Sequence, residues 1–321
     1  MKRALLINVA IGITALVSIY PVSSRAADPI YPPELFAPPQ EVEIEVGLRY
    51  RYSEGKSQKS LYDSSGALLI SRLTWTGETG QSGEAYFNIA QAGFFVKGFL
   101  GAGIFGRGGN LQDEDFPPVI APYSSTNSDA KNGRMRYASG DLGYYLIDTQ
   151  RLKLGGFAGY HYNFEKMDAF GCTQTATNPL ICVPAIPSSI LALTQENRWH
   201  AIRLGVAGQI YLLPNLKLSG DAAWLPYARI TGADTHWLRI GTDFNGPTPE
   251  VGHGHGVQLE GVVSYMFDNS LTLGVGARYW KMEVPNGTAH FEESVIGGAI
   301  PQVEKMKTER YGMFVQLGYK Y

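Results

Sequence analysis

Cysteine is nearly absent. Two in 321 residues cannot build a disulfide-dense scaffold or, alone, a four-cysteine zinc site. Charge is sparse and balanced, with 27 Lys and Arg against 29 Asp and Glu and a net charge of −2. That lacks the cationic surplus of a nucleic-acid binder, so no nucleic-acid partner is expected. Long hydrophobic runs are missing beyond the first twenty residues, which excludes a helical membrane span in the rest of the chain. Three catalytic signatures are also missing. Without a Gly-x-Ser-x-Gly elbow the chain is no α/β-hydrolase serine enzyme. Without His-Glu-x-x-His or Gly-x-x-x-x-Gly-Lys-[Ser/Thr] it is neither the commonest type of zinc protease nor a phosphate-loop protein. There is no internal repeat and no low-complexity run.

What is present points to a barrel. Apolar residues make up 44 % of the chain, too many for a disordered protein. The 38 Gly and 19 Tyr, set against so few charges, favour β-structure. The chain opens with Met1-Lys2-Arg3, an almost uncharged stretch from Ala4 to Tyr20, then Pro21 and the small residues Ser24 and Ala26. A basic start, an apolar middle and a small-x-small site make a secretory signal, expected over 1–26 with cleavage after Ala26; an uncleaved N-terminal anchor is the alternative. A periplasmic segment is expected over 27–40 and a membrane barrel over 41–321.

From Glu41 the pattern has period two. Val42, Ile44, Val46, Leu48, Tyr50 and Tyr52 fall on one face, and Glu43, Glu45, Arg49 and Arg51 on the other, because successive strand side chains point to opposite sides. Similar runs recur at about 67–91, 93–106, 134–147, 151–165, 197–213, 215–230, 256–268, 271–284 and 307–321. Short connections at 90–93, 148–150, 213–215 and 268–270 alternate with long ones at about 54–66, 107–133, 166–196, 231–255 and 285–306. Short turns at one end and long loops at the other predict an all-β fold: a ten-stranded antiparallel transmembrane β-barrel with long extracellular loops. An even count places both termini on the periplasmic side. The glycine-rich segment 76–83 is read as a bulge within one long strand, since a turn there would make the count odd. The last strand alternates Met313, Val315, Leu317, Tyr319 and Tyr321, suiting an interfacial aromatic girdle.

Cys172 and Cys182 share one long loop. In an oxidising compartment they are expected to form a local disulfide, with a free reactive thiol or a metal pair as the alternative. Two other constellations sit where a strand gives way to a long loop. In Gly106-Arg107-Gly108-Gly109-Asn110-Leu111-Gln112-Asp113-Glu114-Asp115-Phe116, Asp113 and Asp115 share a face in extended backbone. Such a pair can hold one proton between them and grip a water, because neighbouring like charges raise one pKa; a solvated acidic loop or a calcium site would look the same. In Gly232-Ala233-Asp234-Thr235-His236, spacing two again puts Asp234 beside His236, where a carboxylate can fix the imidazole tautomer and support its cation. A surface pair without function is the bland reading. His253 and His255 in Gly252-His-Gly-His-Gly lack further nearby ligands for a metal, and no metal is expected.

Taken in order, these residues resemble the omptin family of outer-membrane proteases. The Arg-Gly-Gly-Asn followed by Asp-x-Asp and an aromatic is similar to that family's segment, and the later Asp-x-His matches its second motif. The resemblance implies a ten-stranded barrel with a groove open to the outside, and no cofactor beyond lipopolysaccharide, which activity can require. It implies that Asp113 and Asp115 position and help activate a water, with His236 as general base held by Asp234. Peptide bonds would then be hydrolysed directly, with no acyl-enzyme. Omptins that cut between basic residues carry acids in the pocket for the residue before the cut, and those positions here hold Lys59 and Gly232. Strict dibasic specificity is therefore not expected, because Lys59 repels Lys and Arg. The implied partners are cell-surface polypeptides, outer-membrane lipid and lipopolysaccharide, acting on a monomer. The face of Arg49, Arg51 and Lys97 is open; lining the polar interior is the bland reading. The rival from another class is a non-enzymatic barrel, an adhesin or receptor. A passive pore is a third reading, disfavoured because side chains largely fill so narrow a lumen.

Overall fold

The computed structural model describes residues 42–116, 122–240, 246–267, 270–291 and 301–321. The expected signal peptide (1–26) and periplasmic segment (27–40) lie outside them, as do positions 268–269 of one expected turn.

Among the described residues there are eleven strands: β1 (Glu43–Tyr62), β2 (Leu69–Gln91), β3 (Phe94–Phe105), β4 (Gly109–Asp115), β5 (Ser124–Asp148), β6 (Leu152–Gln174), β7 (Ile186–Leu213), β8 (Leu216–His236), β9 (Thr248–Phe267), β10 (Leu271–Ala289) and β11 (Gln302–Lys320). All pair antiparallel, and β1 pairs with both β11 and β2, which closes the sheet. Both β3 and β4 lie between β2 and β5. They are therefore two stretches of one stave, interrupted at Gly106-Arg107-Gly108, and the ring has the expected ten staves. The interruption is matched on β2, whose register against β1 shifts between Gly55 and Ser57. Gly77 there has φ +65°, and a Cβ on it would lie 3.3 Å from the Gly108 carbonyl oxygen. The glycine-rich segment is thus a bulge within one strand.

The long loops are mostly strand. β1 runs to Tyr62 through the expected loop at 54–66, and β4 with the start of β5 fills much of 107–133. β6 and β7 take both ends of 166–196, β8 and β9 both ends of 231–255, and β10 the start of 285–306. The ladders continue upward beyond the apolar belt. There the outer face no longer meets lipid, so its side chains turn polar and the period-two signal fades although the pairing persists. Cys172 and Cys182 are disulfide-bonded, with Cα atoms 5.7 Å apart, tying the end of β6 to the connection before β7.

The alternation places apolar groups outside. Leu48 is 68 % exposed and Leu146 83 %, while Arg51 is fully buried. An exposed apolar surface this extensive needs lipid around it. The lumen is closed by ion pairs between staves. Arg278 on β10 forks onto Glu84 on β2 (2.9 and 3.1 Å) and reaches Glu260 at 2.6 Å. Arg203 grips Asp141 (2.7 Å) and Asp221 (3.0 Å), and Lys97 meets Asp221 at 2.5 Å. Arg49 bonds Gln316 and Glu260. Arg49, Arg51 and Lys97 therefore line the interior. Nearer the rim of long extensions, an apolar cluster that includes Leu73, Trp75, Leu111, Trp199, Ile230, Trp280 and Met306 fills the lumen. It forms the floor on which the site is built.

Candidate active site

Asp113 and Asp115 stand on β4. Leu111, two positions earlier on the same face, is anchored in the apolar floor. Asp113 faces Leu73 of β2 in register, and Asp115 faces Ser71. Alternation then sends both carboxylates inward and Glu114 outward, where it pairs with Arg72 at 2.7 Å. The two acids belong to a ladder between β2 and β5 and not to a solvated loop.

Asp234 and His236 end β8, above the buried Ile230 on the same face. His236 Nε2 and Asp234 Oδ2 are 2.9 Å apart. With Nε2–H donated to the carboxylate, the lone pair that accepts a proton lies on Nδ1. The turn beyond His236 is braced: the Trp237 indole N–H donates to Thr194 Oγ1 (2.9 Å), whose hydroxyl donates to Asp168 (2.7 Å). The Trp237 backbone N–H donates to the Ala192 carbonyl at 2.9 Å.

Around the ring, β4 and β8 are separated by β5, β6 and β7 on one side and by five staves on the other. Their inward side chains nevertheless share one electrostatic environment. Burial raises Asp113 to about 7, the His236 cation opposes this, and the Asp115 and Asp234 charges add to it. Burial also raises Asp115, against the pull of Arg239. Burial alone would lower His236, but the Asp234 carboxylate, its hydrogen bond and the Asp113 charge lift it to about 9. Two acids from one wall and an acid–imidazole pair from the other thus act on each other across the cleft. Such an arrangement can hold a water and move its proton.

Several residues of the site were not visible in the sequence. Arg239 donates its backbone N–H to the His236 carbonyl (3.0 Å), and its charge acts on Asp113, Asp115 and His236. Glu250 on β9, Glu304 on β11 and Gln195 on β7 are buried at 2 %, 3 % and 0 % exposure. No local pattern marks them: β7 and β9 flank β8, β11 stands beyond β9 and β10, and it is the closure of the ring that turns their inward side chains toward one another. Lys59 lies on β1 and not in a loop; its side chain points inward and is ion-paired with Glu250. Gly232 faces Glu250 in register. His253 and His255 belong to the outer face of β9, where the His253 ring stacks on Tyr227 at 5.9 Å.

Comparison with known proteins agrees with this fold. The outer membrane protease OmpT from Escherichia coli is 13 % identical over 87 % of this chain and 97 % of that one, with a TM-score of 0.69. The outer membrane protein OprG from Pseudomonas aeruginosa is 10 % identical over 88 % of this chain and 97 % of that one, with a TM-score of 0.37. The first is a likeness of fold; the second is too slight to bear on it. No curated protein sequence matches the chain. The omptin family model matches residues 39–321, the whole of the barrel, and the chain therefore belongs to the omptin family.

Proposed function

We propose that the protein is an outer-membrane endopeptidase whose site opens to the cell exterior and which hydrolyses peptide bonds with a water held between its two acidic walls. Asp113 and Asp115 orient the water. His236 takes its proton at Nδ1 as the oxygen attacks the peptide carbonyl, and Asp234 holds the ring and supports the resulting imidazolium. The proton then passes to the leaving amine. No side chain attacks the substrate, so no acyl-enzyme forms. General base catalysis of this kind contributes about 10²–10⁴-fold; positioning of water and peptide supplies much of the remainder. The observation that carries this reading is geometric: Asp113 and Asp115 on β4 and the hydrogen-bonded Asp234 and His236 at the end of β8 stand above one apolar floor, on staves separated by three others.

Lipopolysaccharide is the lipid partner in this reading. Arg134, Arg136, Arg198 and Arg229 are exposed on the outer faces of β5, β7 and β8, a cationic band suited to phosphorylated lipid. The polypeptide substrates are not required to be dibasic, and the monomer carries the complete site. The test is purified protein refolded with lipopolysaccharide and offered a mixed peptide library. His236→Ala is expected to abolish cleavage; unchanged turnover refutes the assignment. Binding of peptides by the native protein without hydrolysis would favour the adhesin or receptor reading.

A further inference from the structure

Beside the acid–imidazole pair lies an acidic socket already filled by the chain's own lysine. Lys59 and Glu250 are 5 % and 2 % exposed and form an ion pair across the staves of β10 and β11. Gln195 Nε2 donates to the same Glu250 oxygen at 3.0 Å. Glu304, from the intervening β11, is 3 % exposed, and its Oε2 lacks a hydrogen-bond partner, as does Gln195 Oε1. Glu304 also hydrogen-bonds Glu250, so the two acids share a proton and leave one negative charge facing a single ammonium in a buried place. A buried carboxylate in this arrangement demands a cation.

The socket adjoins both walls of the cleft. Lys59 faces Leu73 in register, and Leu73 in turn faces Asp113. On the other side Glu250 faces Gly232, two residues before Asp234. A Cβ at Gly232 would fall 2.5 Å from Glu250 Oε2 and 3.1 Å from Asn197 Oδ1. The Glu250 carboxylate thus takes the space that a side chain at 232 would use. Negative charge at this point of the cleft is not missing; it arrives with Glu250 on β9 and is neutralised from within by Lys59.

We propose that Lys59 is a tethered occupant of a cation socket made by Glu250, Glu304 and Gln195, and that it excludes Lys and Arg side chains from the position before the scissile bond. Native substrates then carry an uncharged residue there. This substrate class rests on the endopeptidase reading above; the socket itself does not. Discrimination comes from two sources. An incoming cation meets a like charge, and it finds the Glu250 carboxylate already paired.

The test removes the occupant. Lys59→Ala, with Lys59→Ser as a second variant should the first fail to fold, is refolded with lipopolysaccharide beside the native protein. Binding of n-butylammonium, the missing side chain as a free amine, is measured by titration calorimetry. Both variants are expected to bind it and the native protein is not; Glu250→Gln in the Lys59→Ala background removes the binding. In a peptide series differing only in the residue before the cut, Lys59→Ala is expected to raise kcat/KM for Lys or Arg relative to Ala by about 10- to 100-fold, the scale of a charge-assisted hydrogen bond. Failure of both folded variants to bind the amine overturns the socket, as does native protein that cleaves after Arg as readily as after Ala. If no protein in the series cleaves any peptide while the variants bind the amine, the socket stands and the endopeptidase reading falls.

Discussion

His236 shows how one contact sets both rate and stability. Its pKa of about 9 is held up chiefly by Asp234, against burial. The neutral ring is the base, so kcat/KM is expected to climb with pH toward a limb near 9. Asp234→Asn removes the main raising charge and should move that limb to lower pH; a limb that stays in place would detach His236 from the pH profile. Stability runs the other way. A histidine whose folded pKa exceeds its unfolded value of about 6.5 contributes fully below that value. The contribution is lost as pH rises through about 9. Urea midpoints between pH 6 and 10 should therefore fall in the native barrel more than in Asp234→Asn. The pair was legible in the sequence because Asp-x-His at spacing two can only share a strand face. Its partner across the cleft was legible as a motif, and the meeting of the two only through the family resemblance, since no spacing along the chain relates them.

Among the elements, the interrupted stave β3–β4 aims the acidic pair. The break at Gly106-Arg107-Gly108 and the bulge at Gly77 lie side by side, and β4 resumes the ladder with Leu111, Asp113 and Asp115 inward. Gly77 has φ +65°, a conformation costing an L-residue about 1–2 kcal/mol, and a β-branched residue suffers most. Gly77→Val is expected to lower unfolding free energy by at least that amount and to reduce kcat, since β4 is re-aimed. Unchanged stability with unchanged kcat would show that the bulge has no part in placing Asp113. The strand extensions were illegible for a related reason. Above the lipid the outer face turns polar while the inner face mixes apolar and charged side chains, and period-two alternation needs a contrast between faces to be visible.

For the whole molecule, the inside-out distribution of polarity is the governing fact. Arg278 has side-chain exposure of 3 %, with Glu84 at 0 % and Glu260 at 14 %. Removing it leaves two acids without their main counter-charge, a loss of about 3–5 kcal/mol for a broken buried pair. Arg278→Met should show this in urea unfolding from lipid vesicles, and a midpoint equal to the native one would deny the network a stabilising role. On the outer surface, Leu48→Arg places a charge on a strongly exposed apolar position and is expected to cost about 2–4 kcal/mol if it lies near the bilayer midplane. Gln58→Arg, ten residues further along the same face of β1, should cost little. Equal costs would show that the lipid boundary does not fall between them.

Alternating side chains, an even number of strands and two short motifs were enough to specify a closed barrel and to nominate Asp113, Asp115, Asp234 and His236. These properties are local: they depend on which face of a strand a residue occupies, and strand periodicity decides that. The ring decided the rest. Glu250, Glu304, Gln195 and Lys59 come from four separate staves, and no spacing along the chain relates them. Their convergence follows from barrel closure and register, which set the height and bearing of every inward side chain and so place a lysine against the acids beside the catalytic pair.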